Sequence, residues 1–274
     1  YKVFNVVKLD FEYIKPMIKF SLPLIFNQIS WWVLNSSDNI MIEAFIGADS
    51  LGLYTAGAKI PNLLMIITSV FSLAWAESSI KEYDKERNTS FYENIFKYFS
   101  LVMFGGSIFL ITICKVFASI YLQGDFSNGW YCIPFLIGAV VFHSISNFYE
   151  AIYQSTKHNF PITITTIIAA GINVTINLLF LKKFGIIVAS ISTFVSYFGT
   201  CIIRMFHTRK YFIFKVDFLR FFLNCILILA LIFVSIYDFY IYLFGVFTLI
   251  LFIAINFSSF KDIFKNMKKI FKRN

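Results

Sequence analysis

The chain has 274 residues, of which 58% are hydrophobic and only 14% charged, and its mean hydropathy is +0.74. A water-soluble domain needs about 25% charged residues to cover its surface, so hydrocarbon must be part of the solvent here. The net charge of +9 does not point to nucleic acid. The basic residues sit at the ends of apolar segments and in the tail, as juxtamembrane anchors do beside anionic lipid, and no basic face with interleaved aromatics is present to stack bases.

Eight apolar segments follow one another, and the alternating pattern of a barrel strand is absent. The expected fold is therefore all-α, a polytopic membrane protein with about eight transmembrane helices. The first segment covers 14–45, with Pro23 near its start and a break at Gly47. The second covers 51–79 and contains Pro61. Both exceed the bilayer thickness, which predicts tilt or amphipathic extensions. A polar stretch from Lys81 to Ser90 leads to the third segment, 91–122. The remaining segments are 130–154, 160–181, 186–206, 219–237 and 239–257, and a basic tail, 261–274, closes the chain.

One set of connections carries nearly all the Lys and Arg. It holds Lys2, Lys8, Lys15 and Lys19, then Lys81, Lys85, Arg87 and Lys97, then Lys157, then Arg204, Arg209, Lys210, Lys215 and Arg220, and finally the tail. The opposite side has only the Lys182-Lys183 turn, besides Gly47–Ser50, Gly124–Gly129 and the turn at Asp238. Positive charge stays inside, so both termini are expected in the cytoplasm, and an even helix count agrees. The chain begins at Tyr1 without a signal-peptide pattern, which reads as a partial sequence.

The four cysteines, Cys114, Cys132, Cys201 and Cys225, lack metal-ligand spacing. Cys114 and Cys132 flank one short connection, where an oxidising compartment would allow a disulfide. The simpler reading is four buried thiols.

Polar side chains within the membrane are costly and mark function or close helix contacts. Asp38, with Asn35 and Asn39, forms one polar face after Trp31-Trp32. That face either lines a cavity or satisfies a cluster of interhelical hydrogen bonds. Lys59, two residues before Pro61, either meets an anionic substrate or an acid such as Asp38, or snorkels to the interface. Glu77 reads as interfacial. His143, Asn147 and Glu150 recur at i, i+4 and i+7, which is either a proton relay or a structural polar stripe. Asn173 and Asn177 suit hydrogen bonding between helices. No phosphate-cradling loop, metal-spaced histidines or Ser/His/Asp set occurs. The expectation is therefore a protein that is not an enzyme, has no cofactor and does not itself hydrolyse ATP.

Several stretches resemble a known family. Phe20-Ser-Leu-Pro-Leu-Ile25, Trp31-Trp32, Asn35-Ser-Ser-Asp38 and Ile40-Met-Ile42 resemble the seventh membrane helix of bacterial O-antigen and capsule flippases. These belong to the multidrug/oligosaccharidyl-lipid/polysaccharide exporter superfamily. Leu51-Gly-Leu-Tyr-Thr-Ala-Gly-Ala-Lys-Ile-Pro61 and Leu73-Ala-Trp-Ala-Glu77 are similar to the next helix. Asn173-Val-Thr-Ile-Asn177, Phe184-Gly185 and Ala189 resemble the family's Asn-rich helix, short turn and small-residue helix. The pattern departs at Asn39, where the family often has Arg, and at Lys182-Lys183, where it often has Pro.

The resemblance covers about residues 10 to 210. It implies two six-helix lobes moving by alternating access, of which this chain supplies the second (1–210), two accessory helices (211–260) and the tail (261–274). The N-terminal lobe would be missing. The resemblance further implies a flippase in the bacterial inner membrane that moves lipid-pyrophosphate-linked oligosaccharide, with a proton or sodium ion in exchange. Lys59 is then the candidate substrate cation and Asp38 the coupling acid. The competing expectations are a multidrug/cation antiporter of the same superfamily, a membrane glycan polymerase or ligase, and a non-transporting structural subunit. The short external connections count against the enzyme.

Overall fold

The computed structural model describes residues 11–85, 88–121, 129–237 and 240–271. Nine α-helices are found among them: α1 Phe11–Phe45, α2 Ala48–Lys85, α3 Thr89–Tyr121, α4 Ile133–Ser155, α5 Phe160–Phe184, α6 Ile187–His207, α7 Phe218–Ser235, α8 Ile241–Ile255 and α9 Phe257–Phe271. No strand occurs among the described residues. The expected connections at 122–128 and Asp238, and the side chains of Lys2, Lys8 and Arg87, lie outside those residues.

Helices α1 to α8 stand at the eight expected segments. Six of them, α2 to α7, are long and apolar enough to cross a membrane; α8 and the start of α9, bent by 67° at the break between them, reach that standard only when taken together. α1 runs 35 residues but falls short of that apolar standard. Asn27, Gln28, Asn35 and Asp38 dilute its run, and of these Asn27 and Asp38 are buried against its neighbours. α2 extends through Lys85, so much of the expected polar connection is an extra turn of helix. The basic tail is mostly the helix α9.

α4 is the central post. It is apolar nearly all round and almost wholly buried, as expected of a helix enclosed on every side. α2, α3, α6 and α7 pack on it, while α5 joins α6 to α1 on the far flank. Polar pins fix the α2–α4 contact: Trp75 Nε1 donates to the Phe148 carbonyl at 3.0 Å, and the Thr68 and Ser144 hydroxyls meet at 2.6 Å. α1 contains Pro16 and Pro23, and a proline leaves a carbonyl one turn back without its usual donor. Near Pro23, side chains from outside α1 reach its backbone: Asn159 donates to the Phe20 carbonyl and Thr163 to that of Pro23.

α7 and α8 pack on α3 rather than on the α1–α5–α6 flank. Small residues permit the approach: a Cβ added at Gly245 would lie 2.4 Å from Thr112 Cγ2, and one at Gly105 would lie 2.9 Å from Phe252. At the α8–α9 break, buried Asn256 and Asn224 of α7 exchange side-chain hydrogen bonds. The sequence of α9 places Phe257, Phe260 and Ile263 on one face and Lys261 and Lys265 on the other. With the sharp bend, that pattern suits a helix lying along the membrane surface.

Candidate functional site

α1 and α2 touch only lightly, and two polar clefts open between them over α4 and α6. Asn35 borders both clefts. The first encloses about 370 Å³ and is walled by Asn35, Asp38, Asn39, Tyr54, Thr55, Asn62 and Tyr197, with Leu136 and Val140 of α4 behind them. The second encloses about 550 Å³ and is walled by Gln28, Trp31, Asn35, Ser69, Ser72, His143, Asn147, Glu150 and Gln154. Clefts of this size accept small-molecule groups.

Asp38 is 3% exposed. Its Oδ1 accepts from Asn177 Nδ2 at 2.7 Å and Asn173 Nδ2 at 3.1 Å, and its Oδ2 accepts from Tyr54 Oη at 2.9 Å and from the Thr193 hydroxyl. Four donors from α2, α5 and α6 thus converge on one carboxylate of α1. All four are neutral, and no cation pairs with Asp38 among the described residues. Asn177 Oδ1 is buried there without a hydrogen-bond partner. The two readings of the Asp38 face prove compatible, since the carboxylate lines a cleft and is also hydrogen-bonded. Asn173 and Asn177 do bridge helices, and Asp38 is what they bridge to.

Lys59 does not meet Asp38. It is exposed on α2 and borders neither cleft, because the residue facing Asp38 from α2 is Tyr54, more than a turn earlier. Asn35 is likewise separate from the Asp38 cluster: it accepts from Tyr197 Oη at 2.7 Å. Asn39 borders the first cleft beside Asp38.

His143, Asn147 and Glu150 share the second cleft, as their spacing predicts, but they do not form one chain of hydrogen bonds. His143 Nε2 meets Asn147 Nδ2 at 3.0 Å, and its Nδ1 is buried without a partner. Glu150 turns elsewhere: Oε1 accepts from Asn27 Nδ2 at 3.0 Å and Oε2 from Arg204 Nη1 at 2.8 Å. Trp31 stands between the two groups, edge to face with His143 and with the Arg204 guanidinium 5.8 Å from its ring centroid. Glu77 is exposed and paired with Lys81 on its own helix, as an interfacial residue should be.

Arg204 corrects the sequence reading, which counted it with the basic connections. It is completely buried. Besides Glu150, it donates to the Thr165 and Thr166 hydroxyls at 3.0 and 2.8 Å and to the Ile162 and Ser146 carbonyls. The signal was in the sequence. Thr193, Tyr197, Thr200 and Arg204 recur at intervals of three to four along α6, which marks its buried face, and Arg204 continues that stripe. The four cysteines are buried free thiols, so Cys114 and Cys132 are not joined.

Residues 2–134, just under half of the chain, match the model of a polysaccharide biosynthesis protein family. Comparison with curated protein sequences gives no match. Among solved structures, the chain is similar to a MOP superfamily transporter from Pyrococcus furiosus, with 18% identity, a TM-score of 0.61 and coverage of 81% of this chain and 54% of that one. It is similar to the lipid II flippase MurJ in an inward closed conformation, with 15% identity, a TM-score of 0.57 and coverage of 87% and 53%. It is also similar to a multidrug resistance MATE family transporter of the MOP superfamily in an outward-facing conformation, with 14% identity, a TM-score of 0.59 and coverage of 81% and 54%. At these identities the likeness is one of fold, and the fold is that of MOP superfamily transporters. The chain spans about half the length of each of these structures.

Proposed function

We propose that this chain is the second lobe of a polysaccharide-repeat flippase, which moves lipid-pyrophosphate-linked oligosaccharide (O-antigen or capsule) across a bacterial inner membrane. Residues 1–210 form the lobe, 211–260 the accessory helices and 261–274 the cytoplasmic tail. A partner lobe of similar fold closes the α1–α2 side, and the two work by alternating access. The observation that carries this reading is the pair of polar clefts at membrane depth, on a transporter fold whose first half matches a polysaccharide biosynthesis model. Polar walls there are costly unless a polar cargo or water fills them.

Asp38 is the coupling acid of this proposal, exchanging a proton or a sodium ion for the cargo's movement. Its support is geometric. Donors from three helices meet on its carboxylate, and the Asn177 carbonyl oxygen points to the same cluster without a partner. A cation taken up there would change the packing of α1 against α5 and α6. Lys59, exposed on α2, is left as a substrate contact only if the partner lobe faces it.

The test is flipping by the full-length protein in proteoliposomes, read as the chemical accessibility of a fluorescent lipid-pyrophosphate oligosaccharide under an imposed sodium or pH gradient. Flipping that responds to one of the two gradients and falls at least tenfold in Asp38→Asn is the expected outcome. The asparagine keeps the shape of the cluster while removing its charge. Export of organic cations without any lipid-linked sugar movement would instead assign the protein to the antiporters.

A further inference from the structure

The second cleft combines features that the transport reading leaves unused. Its polar wall is built of amides and hydroxyls, Gln28, Asn35, Asn147, Gln154, Ser69 and Ser72, together with His143 and Trp31. Gln28 and Gln154 make no hydrogen bond to any described residue, and His143 Nδ1 is buried without a partner. Amides facing a cleft without a protein partner are free to bond a polar cargo, and groups that both donate and accept suit hydroxyls.

The charge in this cleft is one-sided. Glu150 is its sole acid and no Lys or Arg borders it. Arg204, which pairs with Glu150, is wholly buried behind it. The ion pair is thus a dipole whose negative end faces the cleft, held in place by Asn27 and Arg204.

We infer that this cleft binds neutral sugar rings through their hydroxyls and disfavours acidic ones. The amides both donate to and accept from ring hydroxyls and Glu150 accepts from them, while a uronic or other acidic sugar would bring its carboxylate against Glu150 with no cation to receive it. This rests on the flippase reading and narrows it: the pyrophosphate binds elsewhere, and this half reads the sugar.

The experiment measures dissociation constants by ligand-observed NMR for two soluble probes on the full-length protein in nanodiscs, a neutral N-acetylglucosamine trimer and an acidic galacturonate trimer. The neutral probe is expected to bind about tenfold more tightly, a difference of about 1.4 kcal/mol. Glu150→Gln should bring the two constants close together. Because that change also breaks the buried pair, Gln154→Lys supplies a second arm. It leaves the pair intact and should tighten acidic-probe binding about tenfold.

Binding of neither probe, equal binding of both by the unaltered protein, or a ratio that Gln154→Lys leaves unmoved would overturn the inference. Flipping is measured separately. A protein that flips without discriminating sugars keeps the transport reading and loses this one, and one that discriminates without flipping does the reverse.

Discussion

Arg204 has acceptors around its whole guanidinium: a carboxylate, two hydroxyls and two carbonyls drawn from α4 and α5. A buried charge so enclosed is stable only while its partners remain, and removing one member of such a pair costs about 3–5 kcal/mol. Arg204→Leu should therefore destabilise the protein by about that much, measured by thermal unfolding in detergent. The double variant Arg204→Met/Glu150→Gln should be less destabilised than the two single changes summed, with a coupling of at least about 1 kcal/mol. Simple additivity would mean that the pair does not act as a unit. Asn35, Asp38, Asn39, His143, Asn147 and Glu150 stand out in the sequence because each is a polar side chain in an apolar run, whereas Tyr54, Tyr197, Gln28 and Gln154 of the same clefts do not. Hydrogen-bond partners were less legible. The sequence leaves Lys59 to meet a substrate, meet an acid such as Asp38 or snorkel, yet a carboxylate can be satisfied by neutral donors from distant helices, and those distances are not written in the chain. Arg204 was misplaced because a basic residue near the end of an apolar segment looks the same whether it snorkels or turns inward.

The eight apolar segments, by contrast, were legible as helices, since an apolar run that must satisfy its own backbone in lipid has little choice but to be helical, while α9 lies in what the sequence reads as a tail. What the runs did not reveal was contact at close range. The α3–α8 crossing depends on Gly245, where a Cβ would come within 2.4 Å of both Cγ2 and Oγ1 of Thr112 and 2.8 Å of its Cβ. Since the β-carbon itself is involved, rotation of Thr112 cannot relieve the clash, and the helices must separate. Overpacking of this kind costs about 1–3 kcal/mol. Gly245→Ala should lower the unfolding temperature, and adding Thr112→Gly should recover much of the loss. Alanine is the better helix former, so propensity alone would raise stability; recovery by the second change ties the loss to the crossing, whereas an equal loss in both variants would show that Thr112 is not the obstruction. A similar limit governs α2 and the residues leading into α4, where a Cβ at Gly129 would meet the Leu53 carbonyl oxygen at 2.8 Å. Backbone cannot swing aside, so Gly129→Ala should be costly without any available rescue.

At the scale of the whole molecule, the asymmetric charge and the burial pattern bear on one question, which is how the bundle sits in its membrane. Placing Arg204 inside the protein removes one residue from the basic side, yet Arg209, Lys210, Lys215 and Arg220 still follow α6, and the polar face of α9 adds more lysines. Across the bundle, the α5–α6 turn holds Lys182 and Lys183 beside Gly185, whose φ of +76° suits glycine in a tight turn. Orientation depends on the balance of such charges rather than on any single one. The expected outcome is that the α5–α6 turn faces out of the cell while Lys210 and α9 face the cytoplasm. All four native thiols are buried and give little background labelling. Phe184→Cys, an exposed position, should react with a membrane-impermeant maleimide in intact cells once the outer barrier is opened. Lys210→Cys should react only after the inner membrane is lysed. Labelling in the opposite order would invert the bundle and put Glu150 and its amide-lined cleft on the outward side, so that the cleft would receive the sugar on release rather than on entry.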